Sequence, residues 1–209
     1  MTLVKICGIT SVEDARACIA LGADMLGFVF AESPRQVDMK TVMRIQKQIA
    51  GRVPTVGVFT AATGEVLAIA DACRLDFIQL HGGQSEAFAA RVGARRVIRA
   101  IRVRNRSSLE TAAMFENAAY YLLDTYSKNK PGGTGMAWDW SLLPQLGELP
   151  RPMLLSGGLT PESVQAAIAA ARPHGVDASS GVEISPGKKD LDKVERFIRN
   201  VRDYDNRTR

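Results

Sequence analysis

The chain has 209 residues, 46% hydrophobic and 23% charged, with a formal net charge of +5. That is ordinary globular composition, and it excludes a disordered, fibrous or low-complexity chain. A chain of this length buries roughly 70% of its unfolded surface and needs no disulfide staples.

Three cysteines, an odd number at no metal-like spacing, point to a reducing compartment and to no disulfide framework. The two histidines, His81 and His174, are too few for a histidine-rich metal centre. No run approaches the roughly 18 apolar residues of a membrane span, and the opening "MTLVKICGIT" does not read as a signal peptide, so a cytoplasmic protein is expected. Basic residues are scattered, with aromatics in apolar runs rather than interleaved with Arg and Lys, which argues against nucleic acid. A solvated basic surface, or a small anionic ligand, accounts for the charge.

Short apolar runs alternate with helical patterns from one end of the chain to the other. The expected strands are 3–7 (LVKIC), 25–30 (MLGFVF), 54–59 (PTVGVF), 76–80 (DFIQL), 96–101 (RVIRAI), 120–124 (YYLLD), 153–157 (MLLSG) and 175–179 (GVDAS). Helix signals lie between them. Ser11 reads as an N-cap with Gly22 as a stop, Asp38 pairs in the same way with Gly51, and Thr160 is an expected N-cap before Pro161 at the first helical position. Eight strand–helix units share 209 residues, about 26 each, with no linker rich in Pro, Gly or Ser. The expectation is an α/β protein built as a single (β/α)8 TIM barrel, one catalytic domain over residues 1–209.

In such a barrel the active site is built from the loops at the C-terminal strand ends. Strand seven runs into "SGGL" and strand eight into "SSGVE". Those are the two places where this fold binds phosphate, with loop N–H groups and the start of a short extra helix, so Gly157, Gly158, Ser180 and Gly181 are candidates. Cys7 ends strand one and Asp124 ends strand six. A thiol and a carboxyl group facing one mouth suit proton transfer, one removing a proton and the other donating one. The base must be a thiolate, which Lys5, two residues away on the same strand face, favours by its charge. His81, after Phe77 and Gln79 on one strand face, is placed to serve a nucleophilic cysteine. Arg35, on the loop after strand two, is a candidate fork for a carboxylate. Cys18 and Cys73 read as small buried apolar groups on helices. Trp138 and Trp140 read as packing residues, His174 as inert, and the long segment 125–135 (TYSKNKPGGTG) as a lid.

Nine blocks stand in order: "KICGIT", "GFVFAESPRQV", "GVF", "IQLHG", "LLDT", "GGTG", "DW", "LSGGLTPESV" and "GVDASSGVE" followed by "PGKKD". Together they resemble the phosphoribosylanthranilate isomerase family of tryptophan biosynthesis. The resemblance implies a small barrel that performs an Amadori rearrangement without metal or cofactor. It further implies Cys7 as general base, Asp124 as general acid, Arg35 against the anthranilate carboxylate, and a phosphate grip at Gly157, Gly158, Ser180 and Gly181. Asp177 takes a supporting role, fixing the phosphate end or Lys5. The implied partner is a small phosphorylated substrate, with no nucleic acid or membrane, and a monomer is expected.

Three alternatives are weaker. A sister isomerase of a histidine-pathway aminoaldose uses two aspartates, and a cysteine ends strand one here. A metal-dependent phosphopentose epimerase needs histidines that this chain lacks. A non-catalytic phosphate sensor has no need of Cys7 and Asp124.

Overall fold

A computed structural model describes residues 1–103, 107–108, 115–125 and 150–208. Strands β1 (Leu3–Cys7), β2 (Met25–Val29), β3 (Thr55–Phe59), β4 (Phe77–Leu80), β5 (Val97–Val103), β6 (Tyr120–Thr125), β7 (Met153–Leu155) and β8 (Gly175–Ala178) are parallel and close into one barrel in sequence order. Closure is made where β8 returns to β1, with Val4 opposite Val176 and Lys5 opposite Asp177. The expected (β/α)8 barrel is the observed fold.

Both faces of these strands are buried, which is why they read as near-continuous apolar runs rather than clean alternation. Outward-facing Ile6, Leu26, Phe28, Ile78, Leu80, Leu123 and Val176 pack under the helical layer. Inward-facing Met25, Val56, Ile98, Leu122 and Leu154 plug the lower barrel with Leu3, Phe77 and Tyr120. The rings of Phe77 and Tyr120 meet edge to face, 5.8 Å between centroids.

The helices start where the sequence says they should in two of three cases. The Ser11 side chain accepts from the Asp14 amide and opens α1 (Val12–Ala20). Asp38 accepts from the Thr41 amide and opens α2 (Met39–Ile49), which buries Val42, Ile45 and Ile49. The third differs. Residues 160–163 form a turn in which the Ser163 hydroxyl accepts from the Thr160 amide, and the regular helix runs only over Val164–Ala171. That bond is the return half of a capping box at Thr160, whose carbonyl is shared by the Ser163 and Val164 amides; the sharing tightens the first turn, so the regular helix begins a turn later than the Thr160 signal implied.

Strand lengths also shift. β7 stops at Leu155, two residues short of expectation, because Gly157 and Gly158 take φ of 94° and 69°. β5 runs to Val103, two residues further than expected, which places Arg102 on the strand. Beyond β8 a short hairpin, β9 (Glu183–Ser185) with β10 (Lys188–Lys189), precedes the last helix, Leu191–Arg207. Trp138, Trp140 and segment 126–135 lie outside the described residues. Among the described residues no helix is long and apolar enough to cross a membrane.

Candidate active site

A cavity of about 280 Å³ opens at the C-terminal strand ends. Cys7, Arg35, His81, Asp124, Gly157, Gly158, Asp177, Ser180 and Gly181 all line it. Every site candidate taken from the sequence is therefore brought to one place. The periodicity of two explains this for the strand residues: Cys7, His81, Asp124 and Asp177 share inward parity with the side chains of the barrel interior.

Cys7 is packed into the wall. A Cβ added to Gly27, its register partner on β2, would sit 2.7 Å from the Cys7 sulfur, so the neighbouring strand must be bare there. Below the thiol, Lys5 is 1% exposed and donates to Asp177 at 2.7 Å. The Ser156 hydroxyl donates to the other Asp177 oxygen at 3.1 Å. Asp177 thus fixes Lys5, one of the two roles expected of it. Burial works against the Lys5 ammonium, but Asp177 and Cys7 together outweigh it, and the lysine is held above its usual range. Burial is also the largest influence on Cys7 and pushes the thiol up. Lys5 pulls it down, Asp177 pushes it up and Lys189 pulls it down, and the balance is upward. The sequence-based expectation that Lys5 favours the thiolate has the right sign, but burial exceeds it.

The wall opposite is the carboxyl side. Asp124 is 4% exposed, and its Oδ2 lies 3.1 Å from His81 Nε2. His81 Nδ1 is 3.1 Å from the side-chain amide nitrogen of buried Gln79. With that amide donating, Nδ1 accepts and the neutral ring turns its Nε2–H toward Asp124. The Gln79 carbonyl oxygen is buried with no hydrogen-bond partner. Turning the amide over would offer it to an Nδ1–H, so the same two residues accommodate the other tautomer. His81 partners the carboxyl, not the cysteine: β4, which leads to it, stands two places from β6 in the barrel order and three from β1.

Arg35 lines the cavity from the loop after β2, as expected. Its Nε and Nη2 fork is closed on the Glu183 carboxylate, at 2.9 and 3.1 Å from Nε and 2.6 Å from Nη2. Glu183 lies 148 residues away. It also holds Lys189 at 2.8 Å, and Lys189 donates to the Cys7 carbonyl at 2.6 Å. Burial disfavours the Glu183 charge, but Arg35 and Lys189 outweigh it and hold the carboxyl below its usual range. This Arg35–Glu183–Lys189 cluster pins the end of β1, where Cys7 sits. Its acid and second lysine stand in "GVEISPGKKD", a block the sequence singled out without giving either a role.

On the remaining side two loops interlock. A Cβ on Gly181 would lie 2.0 Å from the Leu159 carbonyl oxygen, so only glycine lets the β8 loop pass the β7 loop this closely. The other two cysteines are where expected. Cys18 and Cys73 are buried and free, and burial pushes the Cys18 thiol up to about 12. His174 sits away from the cavity and accepts from the Met153 amide at 3.2 Å.

A closed barrel whose mouth is lined by both a thiol and a carboxyl group has the form of an acid–base barrel enzyme. Residues 4–200 match the family model for N-(5'phosphoribosyl)anthranilate (PRA) isomerase. The N-(5'-phosphoribosyl)anthranilate isomerase of Pelobacter propionicus is 46% identical over 204 residues, covering 95% of each chain. The crystal structure of phosphoribosyl anthranilate isomerase from Thermotoga maritima superposes with a TM-score of 0.90 at 39% identity, covering 97% of this chain and 100% of that one. A second solved isomerase, in complex with reduced 1-(o-carboxyphenylamino)-1-deoxyribulose 5-phosphate, gives 0.87 at 38% identity with the same coverage. The chain belongs to the N-(5'-phosphoribosyl)anthranilate isomerase family.

Proposed function

We infer that this protein catalyses the Amadori rearrangement of N-(5-phosphoribosyl)anthranilate to 1-(2-carboxyphenylamino)-1-deoxyribulose 5-phosphate in tryptophan biosynthesis, by general acid/base catalysis and without a cofactor. The observation that carries this reading is the placing of Cys7 and Asp124 on different walls of one cavity whose third side is the interlocked glycine loops.

In this reading the loops at Gly157, Gly158, Ser180 and Gly181 grip the phosphate and set the sugar across the mouth. Asp124 donates a proton to the furanose ring oxygen. The C1′–O bond breaks as the nitrogen lone pair forms the C=N bond of an open-chain Schiff base. Cys7, as thiolate, then takes the C2′ proton. The C–H electrons form C1′=C2′, and the C=N electrons return to nitrogen, giving an enolamine. Loss of the enol proton and protonation at C1′ deliver the ketone. Lys5 offsets the thiolate charge, and His81 orients the Asp124 carboxyl.

The test is turnover of N-(5-phosphoribosyl)anthranilate, followed by loss of anthranilate-type fluorescence, beside the histidine-pathway aminoaldose. Turnover of the first substrate is expected. A folded protein inert toward it would sink the reading. The setting we attach to this activity is a single-domain cytoplasmic monomer. Of the exposed large apolar side chains among the described residues, Met39 and Met43 share α2 while Met1, Ile184 and Leu191 stand on three other segments, and this scatter supports a monomer. Sedimentation equilibrium tests that part.

A further inference from the structure

Two buried lysines flank the general base, and the mechanism above uses one of them. Lys5 lies two residues before Cys7 and pairs with Asp177 at 2.7 Å. Lys189 comes from the other side, on β10, and its side chain is fully buried. Its ammonium has three protons and three acceptors in reach: the Cys7 carbonyl at 2.6 Å, Glu183 at 2.8 Å and the Ser179 carbonyl at 3.4 Å. A buried ammonium costs stability unless it is paired, and this one points its charge at the backbone of the reacting residue.

The hairpin that carries Lys189 grips the connection after β1 at two further points. The Lys189 amide donates to Asp14 in the first turn of α1 at 3.0 Å, and the Thr10 hydroxyl donates to the Gly187 carbonyl at 2.5 Å. The ammonium is therefore fixed relative to Cys7. The charges on the two sides of the thiol work differently. On one side Asp177 opposes at the sulfur what its partner Lys5 favours. On the other Lys189 reinforces Lys5, and its carboxylate, Glu183, is shared with the Arg35 fork. Asp14 is half-buried at the start of α1, and Asp124 and His81 line the same cavity as Cys7.

We propose that Lys189 is a positioning residue of the general base: it holds the Cys7 carbonyl, and through it the end of β1, and it supplies positive charge that favours the thiolate. This inference rests on the functional reading above. Lys189 does not line the cavity, so its effect reaches the reaction only through Cys7. Removing it leaves Glu183 held by the Arg35 fork, and so, unlike loss of Lys5, it strands no buried ion.

The test takes two readouts in Lys189→Met, Lys189→Gln and Lys189→Arg. One is turnover of N-(5-phosphoribosyl)anthranilate. The other is the rate at which iodoacetamide alkylates Cys7 at pH 8, read on the Cys7 peptide by mass spectrometry. Both neutral variants are expected to alkylate about three- to tenfold more slowly than wild type, and to lose about tenfold in kcat with KM within about threefold. Lys189→Arg keeps the charge and recovers part of both losses. Met and Gln differ in shape and hydrogen bonding, so equal slowing in both marks charge rather than fit. Alkylation at the wild-type rate in the neutral variants, or a loss that Gln recovers as fully as Arg does, would overturn the proposal. A wild type inert toward N-(5-phosphoribosyl)anthranilate overturns the functional reading and this inference with it; an active wild type whose neutral variants keep its kcat overturns this inference alone.

Discussion

The lower and upper halves of the barrel are made by the same eight strands, yet they hold opposite chemistry. Below, Met25, Val56, Ile98, Leu122 and Leu154 fill the interior with aliphatic bulk. One or two residues further along the same inward faces stand Lys5, Cys7, Gln79, Asp124 and Asp177, all buried. The backbone geometry is continuous, so the difference lies wholly in side-chain choice. The lower half is held by area removed from water, about 25 cal/mol per Å². The upper half removes charge from water, and it stays folded only because each buried ion has a partner. Stability comes mostly from one end and chemistry from the other, and substitutions at matched depths should separate the two.

The largest effect on the upper half is expected from Lys5→Met. It leaves Asp177 buried without its cation, at a cost of about 3–5 kcal/mol, read as a fall in the urea midpoint. If Lys5→Met were as stable as wild type, the upper half would not depend on paired charge. Leu122→Ala, lower on the strand that carries Asp124, should cost about 2–5 kcal/mol in the same titration. Its kcat at 20 °C should stay close to wild type, and a large fall in kcat would show that the halves are not separable.

His81→Asn should lower kcat roughly tenfold, since it removes the ring that orients the Asp124 carboxyl. The pH dependence sharpens the comparison further. Because burial raises the Cys7 thiol above its ordinary value, the thiolate fraction in the free protein is small at neutral pH and grows as pH rises. The rate at which iodoacetamide alkylates Cys7 should climb with pH through 8 and 9 without reaching a plateau, and a plateau below pH 8 would contradict the raised thiol. The smallest change is expected for Cys18→Ala. It removes one buried sulfur that does not line the cavity, at a cost of about 1 kcal/mol and little change in kcat.

The eight strands were legible because each is a short apolar run bounded by a cap or a glycine, and local signals suffice for that. Cys7, Asp124 and the two glycine loops were legible because the barrel fixes where strand ends meet. Partners were not. Nothing near Arg35 announces Glu183, 148 residues away, and His81 could be matched with a cysteine or a carboxyl until strand order placed it beside β5. The end of β5 lies two residues beyond expectation, and at a strand end two residues separate a loop side chain from one on the strand. At 160–163 the Thr160 cap is present, but its carbonyl is shared by the Ser163 and Val164 amides, a tightening that a cap signal in sequence does not carry.

The central claim is that Cys7 and Asp124 form one acid–base pair. Its most direct test is turnover of N-(5-phosphoribosyl)anthranilate by wild type, Cys7→Ser and Asp124→Asn at matched folded concentration, with near-ultraviolet circular dichroism confirming the fold. The account predicts an active wild type and a loss of about 10²- to 10⁴-fold in each variant, with unchanged spectra. Activity of Cys7→Ser within tenfold of wild type would contradict it and move the base elsewhere in the cavity, with Asp177 the next group to examine.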